Sequence, residues 1–163
     1  MALELYRIDD RLIHGQVVVG WGQPLDLRFI VLVDEEVAAS DWEQELYRMG
    51  VPPEMDVYFE SVESAGTRLA AYQRDPRPGL LLTGDIETMA RLVESTGTIP
   101  TVNLGGIHHK AGRVQRLRYI FLSPAEEAAL RALQARGVAV SAQDVPAARP
   151  LPLEEVLAGE GNR

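Results

Sequence analysis

The stretch RIDDRLIHGQVVVGW, Arg7 to Trp21, places Arg7, Asp9, Asp10, Arg11 and His14 within eight residues. Those side chains suit phosphoryl chemistry. A neutral imidazole is a nucleophile, a guanidinium matches phosphate oxygens in charge and shape, and a carboxylate fixes which ring nitrogen carries the proton. His14 lies just after a strand-like run, LELYRI (3–8), and just before QVVVGW, which reads as a helix ending ahead of Pro24. The three valines keep a strand over 16–19 open. A helix beginning at Gly15 would present unpaired N–H groups and a partial positive charge at His14. That setting disfavours the imidazolium and welcomes a phosphate carried on the ring. Arg11 is then the candidate phosphate-stabilising residue, and Asp9 or Asp10 the candidate carboxylate for the second ring nitrogen. The competing reading is structural: His14, Val17, Val18 and Trp21 would share one packed helical face, and the aspartates would shape a turn.

A second candidate segment is TVNLGGIHHKAG (101–112). Gly105 and Gly106 follow a strand and allow close backbone approach. The segment is neither a Walker loop nor a GxGxxG loop, and a tight turn into a hairpin is the alternative. No metal is expected, since His108 and His109 are adjacent and no carboxylate spacing supports them. No acidic residue occurs between Glu94 and Glu126, while Lys110, Arg113, Arg116 and Arg118 fall in that window. It reads either as a solvated hairpin or as a surface for an anionic group or acidic partner.

Both segments must be held by a scaffold. With 163 residues the chain suits one domain with a full core. A net charge of −8 disfavours nucleic acid. Without cysteine there are no disulfides and no thiol chemistry. No apolar run approaches the roughly 20 residues of a membrane span, and no signal peptide is expected. Further strands are read at 27–33, 55–59, 79–83, 99–104, 118–123 and 138–142. Helices are read at 35–48, 62–73 and 86–95. Another runs from Ser123 to Gly137, opened by a Ser123/Glu126 capping box. The tail 146–163 is proline-rich with room for a short helix. Strands alternating with helices predict an α/β domain with a central, mostly parallel twisted sheet covered on both faces. Functional residues should then lie just beyond the carboxyl ends of strands.

The motif RIDDRLIHGQV resembles the signature of the IIB components of the mannose–fructose–sorbose family of the bacterial sugar phosphotransferase system. IVLVDEEVA, LLLTGDIETMARLVE, VNLGGIHHKAG and LSPAEEAALRALQARGVAV resemble further segments of that family, so the likeness runs from about residue 5 to about 158. The resemblance implies a single IIB domain over 1–163 and a cytoplasmic phosphocarrier that uses no cofactor. His14 would accept a phosphoryl group on its δ nitrogen from a phosphohistidine of a IIA component. It would pass the group to a hexose during transport through the membrane components IIC and IID. Those components would supply any membrane association, since no anchor is expected. Arg11 would stabilise the phosphate; the residues themselves, not the resemblance, offer Asp10 as the carboxylate to orient the ring. Arg7, Gly15, Gly105, Gly106 and Lys110 would line the phosphate or partner site. Two segments depart from the family pattern. TGDI (83–86) puts Asp85 where a basic residue is usual, and IHHK (107–110) brings in His108 and His109. A regulatory module that is phosphorylated but modifies no sugar is the alternative reading. A hydrolase or mutase using Asp10 or Asp85 is a third.

Overall fold

The computed structural model describes residues 3–158, except the side chains of Gln16 and Val17. The expected place of Val17 on the helical face and residues 159–163 of the tail lie outside that description. The elements in order are β1 (Leu3–Ile8), α1 (Gly15–Gly22), β2 (Phe29–Val33), α2 (Glu35–Ala38), α3 (Asp41–Met49), β3 (Asp56–Glu60), α4 (Val62–Arg74) and β4 (Gly79–Thr83). There follow α5 (Ile86–Thr96), β5 (Thr101–Leu104), β6 (Val114–Leu117), β7 (Ile120–Leu122), α6 (Pro124–Ala135), β8 (Ala139–Ala142), β9 (Leu151–Pro152) and α7 (Leu153–Ala158). The main sheet has the strand order β3-β2-β4-β1-β5-β8-β9. All its pairings are parallel except β8 with β9.

The two central apolar strands, FIVLV and GLLLT, are buried along their whole length because both sheet faces are covered. Their side chains alternate between two cores. Phe29, Val31, Val33 and Leu81 share one core with Leu69 of α4, Met89 and Leu92 of α5 and Leu130 of α6. Ile30, Leu32, Leu80 and Leu82 meet Ile13, Val18, Trp21 and Val37 on the other side. QVVVGW is therefore helical, and the burial of Val18 and Trp21 explains its apolar character. Helix ends follow the sequence signals. Ser123 and Glu126 form the capping box of α6, and Gly97 ends α5 in the left-handed region at φ +69°.

Two expectations require correction. The helix read over 35–48 is two helices, because Asp34 caps α2 and Ser40, six residues later, caps α3. The strand read at 118–123 is not part of the main sheet. A turn at Arg118–Tyr119 folds β7 back on β6 as a separate antiparallel pair. The tail also adds β9 to the sheet edge before the short helix α7.

Candidate functional site

Ile8 ends β1 level with Thr83 of β4 and Leu104 of β5. The loop that follows is stitched between those neighbours. Asp9 N–H donates to Thr83 O at 2.9 Å, Asp10 N–H to Gly106 O at 2.8 Å and Gly105 N–H to Ile8 O at 2.7 Å. The first and second candidate segments are thus adjacent, at the carboxyl edge of the sheet. Leu12 adopts a left-handed φ of +59°, uncommon for a leucine. Its side chain fits over Gly84, where a Cβ would come within 2.8 Å of Leu12 Cδ2. The loop delivers His14 to the N-cap of α1, since Val18 N–H donates to His14 O at 2.9 Å.

Beneath the loop lies a buried chain of charges. Arg7 and Asp9 are both fully buried. Arg7 crosses three strand ends: it donates to Asn103 Oδ1 on β5, to Gln143 O at 2.8 Å and Asp144 O at 3.3 Å after β8, and to Asp9 Oδ2 at 3.3 Å. Its guanidinium carbon sits 4.6 Å from the Trp21 ring centre, a cation–π contact. Asp9 in turn grips Arg11 in a two-point pair, Nε to Oδ1 at 2.9 Å and Nη2 to Oδ2 at 2.8 Å, and also accepts from Arg11 N–H at 3.2 Å. Burial pushes the Asp9 carboxyl up, but the Arg11 bonds and the charges of Arg7 and Arg11 outweigh it and hold the carboxyl below its usual range. Arg11, with 29% of its side chain exposed, is the end of this chain that reaches solvent.

His14 is half-buried, and its Nε2 atom is shielded from solvent. Its pKa is lowered, first by burial and then by the positive charge of Arg11, with Asp9 opposing and Arg7 adding to the effect. The ring is therefore biased toward the neutral, nucleophilic form. A cleft of about 390 Å³ opens beside the loop, lined by Arg11, Gly15, Trp21 and the Asp144–Pro146 turn.

The structure brings His14, Arg11 and Gly15 together and gives the other candidates different surroundings. Arg7 is inaccessible, so it supports Asp9 instead of binding phosphate. Gly105 and Gly106 are buried and make room for side chains, not for a ligand. A Cβ at Gly105 would stand 2.3 Å from Arg7 Nη2 and 2.6 Å from Asp9 Oδ2, and one at Gly106 would stand 3.3 Å from Arg11 Nε. Asp10 directs both oxygens at His108, accepting from its N–H at 2.7 Å and meeting its Nδ1 at 2.6 Å. Lys110 lines a separate groove with Asp85 and residues of α5 and α6. Asp85 spends its carboxylate on capping α5, accepting from Thr88 N–H at 2.7 Å. The basic window is largely neutralised: Arg113 pairs with Glu126, Arg116 with Glu127 and Arg118 with Asp144. Among the described residues no group of three histidines, aspartates or glutamates is placed to hold a metal. Sequence reading missed Asn103 and Gln143 as partners of Arg7. The available signal was a lone asparagine inside the apolar strand TVNL.

A family model described as PTS system sorbose subfamily IIB component matches residues 3–163. The chain is 32% identical over 148 residues to N-acetylgalactosamine-specific phosphotransferase enzyme IIB component 1 of Escherichia coli, covering 87% of this chain and 90% of that protein. It is 30% identical over 148 residues to the mannose-specific EIIAB component of Escherichia coli, of which it spans only 45%. The crystal structure of the IIBSor domain of the sorbose permease from Klebsiella pneumoniae superposes with a TM-score of 0.86 at 28% identity, covering 97% of this chain and 98% of that one. Among the described residues no helix is long and apolar enough to cross a membrane.

Proposed function

The chain belongs to the sorbose subfamily of the IIB components of sugar phosphotransferase systems, and from that premise we propose that His14 is the residue that carries its phosphoryl group. A member of this family is a phosphotransferase of sugar transport, working with IIA and membrane components. The observation that carries the assignment is a half-buried histidine at a helix N-terminus, biased toward its neutral form by burial and by the positive charge of Arg11, whose guanidinium Asp9 holds in place. Nε2 is shielded, which favours Nδ1 as the receiving nitrogen. In the first step the Nδ1 lone pair forms an N–P bond as the donor's N–P bond breaks, and that electron pair returns to the donor histidine of a IIA component. In the second step a sugar hydroxyl oxygen forms a P–O bond as the His14 N–P bond breaks, and the hydroxyl proton leaves to a base. Such transfers have loose transition states with charge spread over the phosphoryl oxygens. The protein's task is positioning and electrostatic stabilisation. Asp9 holds the Arg11 guanidinium rigid for this, and the α1 N–H groups add to it. Both departures from the family pattern are taken up in local structure, Asp85 as a helix cap and His108 as the partner of Asp10. That supports transfer to a hexose through IIC and IID over a purely regulatory role. We take residues 1–163 as one cytoplasmic IIB domain. The test is phosphorylation by a phosphorylated IIA component of the same organism. Acid-labile, base-stable phosphate is expected on the wild type and none on His14→Ala. Equal phosphorylation of the two would overturn the assignment.

A further inference from the structure

Helix α3 is docked the wrong way round for a soluble amphipathic helix. None of its residues is buried. Trp42, Leu46 and Met49 lie within an arc of about 60° on a 3.6-residue helix. They are 68%, 53% and 75% exposed. The helix is held by its opposite side. Tyr47 packs on Phe59 with ring centres 6.4 Å apart, and Gln44 Nε2 donates to Val37 O at 3.1 Å and Ala38 O at 3.2 Å. A contiguous exposed stripe that includes a tryptophan marks an interaction surface.

Charge identifies the occupant. Glu45 and Asp41 flank one side of the stripe and Glu43 the other. From Asp34 to Gly50 the chain carries six carboxylates and one arginine, Arg48. An anionic lipid surface would be repelled. A second copy docked through the same stripe would oppose two acidic rims. A basic protein segment with apolar residues fits both features. Cytoplasmic loops of membrane proteins are enriched in lysine and arginine. The strand register places the end of β2, from which α2 and α3 depart, level with the end of β1, from which the His14 loop departs. We propose that the Trp42–Leu46–Met49 face docks on a basic, apolar cytoplasmic segment of the membrane component that presents the sugar. The proposal rests on the phosphocarrier reading above.

The test uses the full chain with Trp42→Ser and Leu46→Ser combined, and separately Glu43→Lys with Glu45→Lys. Phosphorylation by soluble phospho-IIA should stay within twofold of wild type for both. Sugar phosphorylation by membrane vesicles holding IIC and IID should need at least tenfold more of either variant for half-maximal rate. Unchanged rates with vesicles would overturn the proposal. So would a loss confined to the IIA step, a wild-type dimer that the serine variant makes monomeric, or equal binding to anionic vesicles lacking IIC and IID. If the wild type takes no phosphate from IIA, the His14 reading fails separately. Co-sedimentation of unphosphorylated chain with IIC/IID vesicles, retained by wild type and lost in both variants, still decides the docking surface.

Discussion

Arg7 and Arg11 share one carboxylate, both reaching Asp9 Oδ2, and their removal should separate stability from rate. Arg7→Met takes away the buried partner of Asp9 and the donors to Asn103 Oδ1, Gln143 O and Asp144 O. Removing one member of a buried ion pair costs about 3–5 kcal/mol. In a domain of this size each kcal/mol lowers Tm by about 2–4 °C, so the fall is on the order of 10 °C. Arg11→Ala breaks a two-point pair with Asp9, but Arg11 is partly exposed and Asp9 keeps Arg7. Discounted for solvent, that loss is about 1–2 kcal/mol. The ranking inverts for chemistry. Deleting one preorganised donor to developing charge slows a step by about 10²–10³-fold. Thermal unfolding gives the first ranking. Single-turnover transfer from phospho-IIA, at a temperature where all three proteins are folded, gives the second. Arg11→Ala should be the slower enzyme and the more stable fold. A transfer rate reduced as much by Arg7→Met as by Arg11→Ala would refute the division of labour drawn here.

Three further outcomes follow from the same geometry. Gly105→Ala drives a Cβ into the Arg7–Asp9 pair and should cost about 2–4 kcal/mol in denaturant unfolding. Gly15→Ala meets nothing within 4 Å and should be neutral or more stable by about 0.5 kcal/mol, so equal losses at the two sites would contradict the packing. By NMR titration His14 should have a midpoint below its ordinary 6.5, and Arg11→Ala should raise it. The fold favours neutral His14, so this contribution is complete above the unfolded-state pKa and is lost as pH falls through the lowered folded value. Asp9 acts likewise at more acid pH, contributing above the ordinary carboxylate range and failing as pH drops through its depressed value. A His14 midpoint at or above 6.5 would remove the basis for the neutral nucleophile. Asp10→Ala should speed amide exchange at His108, whose N–H it accepts, and leave transfer to His14 unchanged. A large loss of transfer would return Asp10 to the histidine.

What was legible in the sequence, and what was not, divides along physical lines. Periodicity and capping are local, so β1, β4, the α6 capping box and the α5 stop at Gly97 could be read directly. Ser40 was local too. Yet Trp42, Leu46 and Met49 share one helical face whether the helix starts at 35 or at 41, and nothing local says which side of a helix meets the core. The site divides in the same way. His14, Arg11 and the helix start are near neighbours in the chain, so their partnership showed in the motif. The accessibility of Arg7 did not show, because it is set by Asn103 and Gln143, residues 96 and 136 positions away. Gly105 and Gly106 are the most instructive case. After a strand, a glycine pair suggests space for a ligand. Here the space is filled from within, by the guanidinium and carboxylate that hold Arg11 still. The glycines would serve the proposed phosphate site at one remove: a Cβ at Gly105 would collide with Arg7 and Asp9 under the loop, and Arg11 would lose the anchor that the proposed donor role requires.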